Sequence, residues 1–170
     1  MAAGNFEKCL AFTLQFEGGF VNNPKDPGGP TNLGVTQATL TGFLGRQASI
    51  ADVKALTPDT VAPIYKQKYW DLIGGDDLPV GIDLAVFDFG VHSGPSRGVV
   101  GLQRALSIAD DGKIGPITIA AATKADPKTT VNAICDGRLA FLQQLTVFKS
   151  FGPGLTSRVT KCRAAALSMI

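Results

Sequence analysis

The sequence predicts a mainly α-helical protein, and three observations carry that prediction. Apolar residues recur three and four apart along much of the chain, prolines and capping residues fall where helices would begin, and strand-like alternation is scarce. The chain has 170 residues, 45% of them hydrophobic and 18% charged. Such a composition argues for a globular protein and against disorder, and a single domain of this length buries about two thirds of its unfolded surface.

Taken in order, Phe6, Cys9, Leu10, Leu14 and Phe16 cover one arc of a helical wheel, and Glu17 projects from the same arc. Gly18-Gly19 is expected to end that helix by taking a left-handed conformation. Residues 17–37 then hold five glycines and three prolines, with a short hairpin expected around Phe20–Asn23 and Asn32–Val35. Thr36 reads as the cap of a helix carrying Leu40, Phe43 and Leu44 on one stripe. Thr57 and Pro58 open another, which Pro63 is expected to kink or delay.

From Val80 to Gly94 the chain is apolar nearly all round, the pattern of a central buried helix. Asp88 and His92 lie four apart on it and are expected to satisfy each other, or alternatively to face a ligand. Gly94-Pro95 ends that helix and starts one with Val99, Leu102 and Leu106 in register; Asp111-Gly112 marks a turn and Pro116 a restart. Asp126-Pro127 is expected to cap a long helix through about Phe148. Phe151-Gly152-Pro153-Gly154 reads as an interruption, followed by a last helix from Leu155 to about Ser168.

The net charge is only +2 and the basic residues are dispersed, so no nucleic-acid partner is expected. Cys9, Cys135 and Cys162 form an odd set without CxxC spacing, which predicts free thiols and neither a disulfide framework nor a zinc site. No metal or other cofactor is expected. The first residues lack a basic segment followed by an apolar one, and no apolar run approaches the ~18 residues of a membrane helix. The expectation is a protein made in the cytoplasm without a signal peptide and without stable membrane insertion.

Two carboxylates stand out. Glu17, aimed at the packing side of a helix C-terminus, has burial and the helix dipole both favouring its protonated form, as a general acid requires. The competing reading is a last-turn glutamate turned to solvent. Asp26, nine residues on and flanked by Pro24 and Pro27, is either a second catalytic carboxylate held on a restricted backbone or the cap of a Pro-Gly-Gly turn.

Phe16-Glu17-Gly18-Gly19-Phe20, followed by the run from Asp26-Pro27-Gly28-Gly29 through Thr31-Asn32-Leu33-Gly34-Val35-Thr36, resembles the glycoside hydrolase family 108 lysozymes. The signature there is an EGGY-type start and DPGGxTNxGIT; Phe20 and Val35 replace the usual tyrosine and isoleucine. The resemblance implies a lysozyme-like helical domain with a glycine-rich loop or short β-hairpin lobe, and Glu17 as the catalytic acid. The spacing of Glu17 and Asp26 is also similar to phage T4-type lysozymes, with Thr31 one residue early for the third member.

Ile64-Tyr65-Lys66-Gln67-Lys68-Tyr69-Trp70 resembles the family's IYxxxYW segment, and Val86 to Pro95 resembles its FDFxVNSGP run, with His92 in place of asparagine. By that resemblance Thr36, Gln37, Tyr69, Trp70, Asp88 and His92 are the substrate-binding residues, although Tyr69 and Trp70 read equally well as core. The pattern from Leu102 to Thr118 resembles a predicted peptidoglycan-binding region, and a plain helix–turn–helix explains the same residues; where the family usually shows GW this chain has Gly154-Leu155. The implied organisation is one domain over 1–170, catalytic to about residue 92 and wall-binding from about 93. The implied activity is hydrolysis of the β-1,4 bond between N-acetylmuramic acid and N-acetylglucosamine in peptidoglycan, as a monomeric phage or prophage endolysin that acts at the cell wall after release through a holin-type pore. The alternatives are a lytic transglycosylase and a non-catalytic wall-binding protein.

Overall fold

The computed structural model describes residues 4–23 and 28–170. The chain divides into two compact units, one formed by Leu10–Lys68 and the other by Tyr69–Ile170 with the segment through Cys9. Helix α1, Phe6–Leu14, runs from the second unit into the first.

In the smaller unit, strands β1 (Thr31–Asn32) and β2 (Val35–Thr36) pair antiparallel, with Thr31 opposite Thr36 and Asn32 opposite Val35. Val21 adds an antiparallel bridge to Thr31. The expected hairpin therefore exists, but Asn32 and Val35 face each other within it and the Phe20–Asn23 segment contributes one bridging residue. Helix α2 (Gln37–Leu44) starts at Thr36, whose hydroxyl accepts the Thr39 N–H as the sequence predicts. Helix α3 (Ile50–Lys54) begins with Ser49 and Asp52 capping each other's backbone, and α4 (Pro58–Tyr65) with Thr57 and Thr60 doing the same. Pro63 does not delay α4; the chain continues past Tyr65 as a π-helical turn, Lys66–Trp70. Leu10, Val35, Leu40, Val53, Val61 and Ile64 form this unit's core.

The larger unit is organised around helix α5, Ile82–Ser93, in which every residue from Ile82 to Gly90 is buried. This is the central helix the sequence predicts. Helix α6 (Pro95–Ala105) crosses it closely, because a Cβ at Gly98 would stand 2.7 Å from the Val86 carbonyl oxygen. Against the middle of α5, Phe6, Trp70 and Phe87 pack ring against ring, with centroids 5.4–6.0 Å apart. After α6, the Asp111-Gly112 turn leads to α7 (Pro116–Lys124). Buried Gln103 holds that turn, donating to Asp111 Oδ1 at 2.8 Å and to the Lys113 carbonyl while accepting the Gly112 N–H.

Helix α8 spans Pro127–Gln143 under an Asp126 cap, and α9 spans Phe148–Ser168. The break between them therefore falls before Phe148, and the Gly152-Pro153-Gly154 run lies inside α9 instead of interrupting it. Pro153 sits in the second turn, where its missing N–H removes one hydrogen bond, and Gly152 is buried against the Phe148 ring. Packing outweighs the local breaker signal. The three cysteines are unbridged and buried, in agreement with the free thiols expected.

Candidate active site

Glu17 does not sit in the last turn of a regular helix. Helix α1 stops at Leu14, and the chain tightens into successive i to i−3 bonds: Gln15 N–H to Phe12, Phe16 N–H to Thr13, and Glu17 N–H to Leu14, at 3.1–3.2 Å. Neither Gly18 nor Gly19 is among the residues with positive φ, so no left-handed glycine closes the helix. The hairpin takes over that role, because the Gly18 carbonyl accepts the Leu33 N–H at 2.9 Å. Glu17 is left half-buried rather than in the packed arc.

Leu33 and Gly34 form the two-residue connection of the hairpin, and both have positive φ, 49° and 73°. That pattern matches the right-handed twist of a tight hairpin and is costly for leucine, roughly 1 kcal/mol or more for a left-handed non-glycine residue. Two anchors hold Leu33 there: its N–H on Gly18 and its carbonyl, which accepts the Tyr65 hydroxyl at 2.9 Å. Glycine is required at 34 for a second reason besides its φ. A Cβ there would lie 2.9 Å from Glu17 Oε2 and 3.3 Å from Glu17 Cδ, and would run into the Tyr65 hydroxyl.

The backbone of the turn, the Glu17 carboxylate and the Tyr65 hydroxyl thus converge on one spot. A half-buried carboxyl group held between a rigid turn and a phenol has the access and positioning that proton donation to a substrate oxygen requires. Buried Asn32 secures the base of the hairpin by donating to the Val53, Lys54 and Leu56 carbonyls, which end helix α3.

The other residues singled out in the sequence divide between the two units. In the smaller one, Thr31 donates to the Gly29 carbonyl at 3.2 Å, Thr36 caps α2, and the Gln37 amide donates to the Ala48 carbonyl at 2.6 Å. Asp26 lies outside the described residues.

In the larger unit Tyr69 is half-buried. Trp70 has no exposed surface, and its indole N–H donates to Asp76 Oδ1 at 3.0 Å. It is a core residue, the alternative its helical context had offered, and has no free face for a sugar. Asp88 is also fully buried, and two arginines from distant helices pair with it. Arg138 Nη1 of α8 lies 2.7 Å from Oδ2 and Arg158 Nη2 of α9 lies 2.8 Å from Oδ1. Two guanidinium groups are stronger partners for a carboxylate than a neutral imidazole, and they hold Asp88 below the usual carboxylate range against the opposing effect of burial. His92 pairs through Nδ1 with Ser93 Oγ at 3.2 Å. Burial first, then Arg138 and Arg158, push its pKa down to about 4, so it is neutral at physiological pH.

Tyr65, Leu33 and Asn32 lie within the sequence motifs, which by themselves give them no role. The sequence signal for Tyr65 is its place in the Ile64–Trp70 segment, at the opposite end from Tyr69 and Trp70. Among the described residues no cluster of three or more metal-ligating side chains occurs, and no helix is long and apolar enough to cross a membrane.

Comparison with known proteins gives a consistent result. Residues 10–94 match the model of glycosyl hydrolase 108, and residues 97–150 match that of a predicted peptidoglycan domain. Among solved structures the chain is similar to SagA of Brucella abortus, with 47% identity over 98% of this chain and 95% of that one and a TM-score of 0.84. The search of curated proteins returned no match. Fold and matches together define a lysozyme-like glycoside hydrolase directed at peptidoglycan. The family is glycosyl hydrolase 108, and the chain belongs to it.

Proposed function

We propose that this protein is an N-acetylmuramidase that hydrolyses the β-1,4 bond between N-acetylmuramic acid and N-acetylglucosamine, with Glu17 as general acid. The observation that carries the reading is the packing of the Glu17 carboxyl against Gly34, a position where any side chain would displace it. Glu17 protonates the glycosidic oxygen as the bond to the anomeric carbon breaks, and positive charge develops on the sugar ring. Asp26, assisted by Thr31, holds a water on the opposite face, takes its proton as the water attacks, and gives inversion. That role asks for carboxyl groups roughly 6.5–9.5 Å apart, against about 5–5.5 Å for a retaining enzyme.

Glu17→Gln tests the assignment: clearance of a cell-wall suspension should fall by about 10²-fold or more, with unchanged stability. Clearance at the wild-type rate would remove Glu17 from the role. Mass spectrometry of the products separates hydrolysis from lytic transglycosylation, because muropeptides lighter by one water would mean ring closure without hydrolysis.

The proposal extends to organisation and context. Residues to about 92 form the catalytic part, and the remainder, which includes the predicted peptidoglycan domain, holds the wall. Tyr69 and His92, both half-buried, remain proposed sugar contacts, as do Thr36 and Gln37 beside the hairpin. The proposal also takes in a monomeric enzyme of phage-type host lysis that reaches the wall through a holin-type pore. Prompt lysis on cytoplasmic expression without a pore would argue against that dependence, and sedimentation would test the monomer.

A further inference from the structure

The larger unit contains a concavity that the proposed chemistry does not use. Helices α5, α6 and α8 enclose a cavity of about 250 Å³ lined by Phe89, Arg97, Gly101, Arg104, Gly137 and Phe141 among others, with no acidic residue in its lining. The Arg97 guanidinium sits over the Phe141 ring, 4.3 Å from its centroid, at a surface-exposed position. Arg104 reaches the same lining and is paired with exposed Asp110.

Two of the lining glycines differ in what accounts for them. Gly101 is explained by packing, since a Cβ there would come within 2.9 Å of the Phe89 ring. Gly137 is not: it lies in the interior of α8, its φ is not positive, and a Cβ would meet nothing within 4 Å. Glycine in a helix interior weakens the helix relative to alanine. The structure supplies no packing reason for glycine at 137, and its effect is to leave the cavity open beside a stacked guanidinium.

We infer that this cavity is a subsite for the acidic stem peptide of peptidoglycan, with Arg97 receiving a peptide carboxylate and the apolar walls receiving alanine methyl groups. The inference rests on peptidoglycan being the substrate. Within that polymer the glycan is largely neutral once the lactyl group is amide-linked, so carboxylates belong to the peptides. A sugar would need convergent polar groups, whereas the lining offers aromatic and aliphatic carbon with cations only. The cavity also lies mainly in the stretch matched by the predicted peptidoglycan domain.

The test is titration of the full-length protein with the soluble tetrapeptide L-alanyl-γ-D-glutamyl-diaminopimelyl-D-alanine, followed by amide chemical shifts. Saturable shifts confined to α5, α6 and α8 are expected, weakened tenfold or more by Gly137→Leu, which fills open space, and by Arg97→Gln. Thermal melts of both variants report whether they are folded, and the exposed position of Arg97 keeps the test valid if Gly137→Leu is not. No saturable shift at millimolar peptide, or equal binding by the folded variants, would overturn the subsite. The muramidase reading fails separately, through Glu17→Gln.

Discussion

The Tyr65 hydroxyl donates to the Leu33 carbonyl at 2.9 Å, joining the end of helix α4 to a leucine whose φ is +49°. A buried phenol from 32 residues away thus helps hold the strained turn against which Glu17 packs. Tyr65→Phe should cost about 1 kcal/mol in urea unfolding, the usual net value of such a bond. It should also lower the rate of wall clearance, because the turn beside Glu17 loses an anchor. An unchanged rate would mean that Gly18 alone is sufficient to hold it.

Gly34→Ala combines a left-handed φ with a clash against Glu17 and Tyr65. It should destabilise by about 1–3 kcal/mol and reduce activity by far more than the stability loss explains. Retained activity at a temperature well below the melting point would refute the convergence of these three groups as the working site.

Asp88→Asn leaves two arginine side chains, 1% and 9% exposed, without their carboxylate. A loss of about 3–5 kcal/mol is expected for breaking a buried ion cluster at one member. Denaturation midpoints at matched denaturant slope provide the measurement, and a change below about 1 kcal/mol would mean that the cluster is held together chiefly by packing.

His92 gives stability a specific pH dependence. Its folded pKa, about 4, lies below the ordinary 6.5, so the unfolded chain takes up the proton first. The contribution is fully present above about pH 6.5 and is lost as pH falls towards 4. Asp88, whose folded pKa is lowered, adds a loss in the same direction at more acid pH, and Asp83, whose folded pKa burial raises, works the opposite way. His92→Asn should flatten the melting temperature between pH 6.5 and 4 relative to the native protein. Parallel curves for the two proteins would show that the imidazole is not responsible.

Thiol titration gives a simpler check. Cys9, Cys135 and Cys162 are all at most 1% exposed, and burial pushes the Cys9 thiol up. None should react with a disulfide reagent within minutes in the native protein, and all three should react in guanidinium. Fast native reactivity of any one would mean that its helix opens locally.

The sequence by itself determined the helical class, most helix starts, the central helix and the glycine-rich stretch beside Glu17. Those features are local: Thr36, Thr57 and Asp126 cap helices through bonds to residues three positions on, and apolar spacing is visible within a few turns. Tertiary structure decided what spacing cannot encode. Asp88 is paired with arginines 50 and 70 residues away. Trp70 became core through Phe6 and Phe87, and α9 absorbed Pro153 because its buried face packs. The setting of Glu17 was likewise decided at a distance, since a helix-end expectation built on two glycines yielded to a hairpin whose Leu33 binds Gly18 and Tyr65. Each such outcome depends on desolvation and packing between segments remote in sequence, and these acquire definite energies only once the chain has folded.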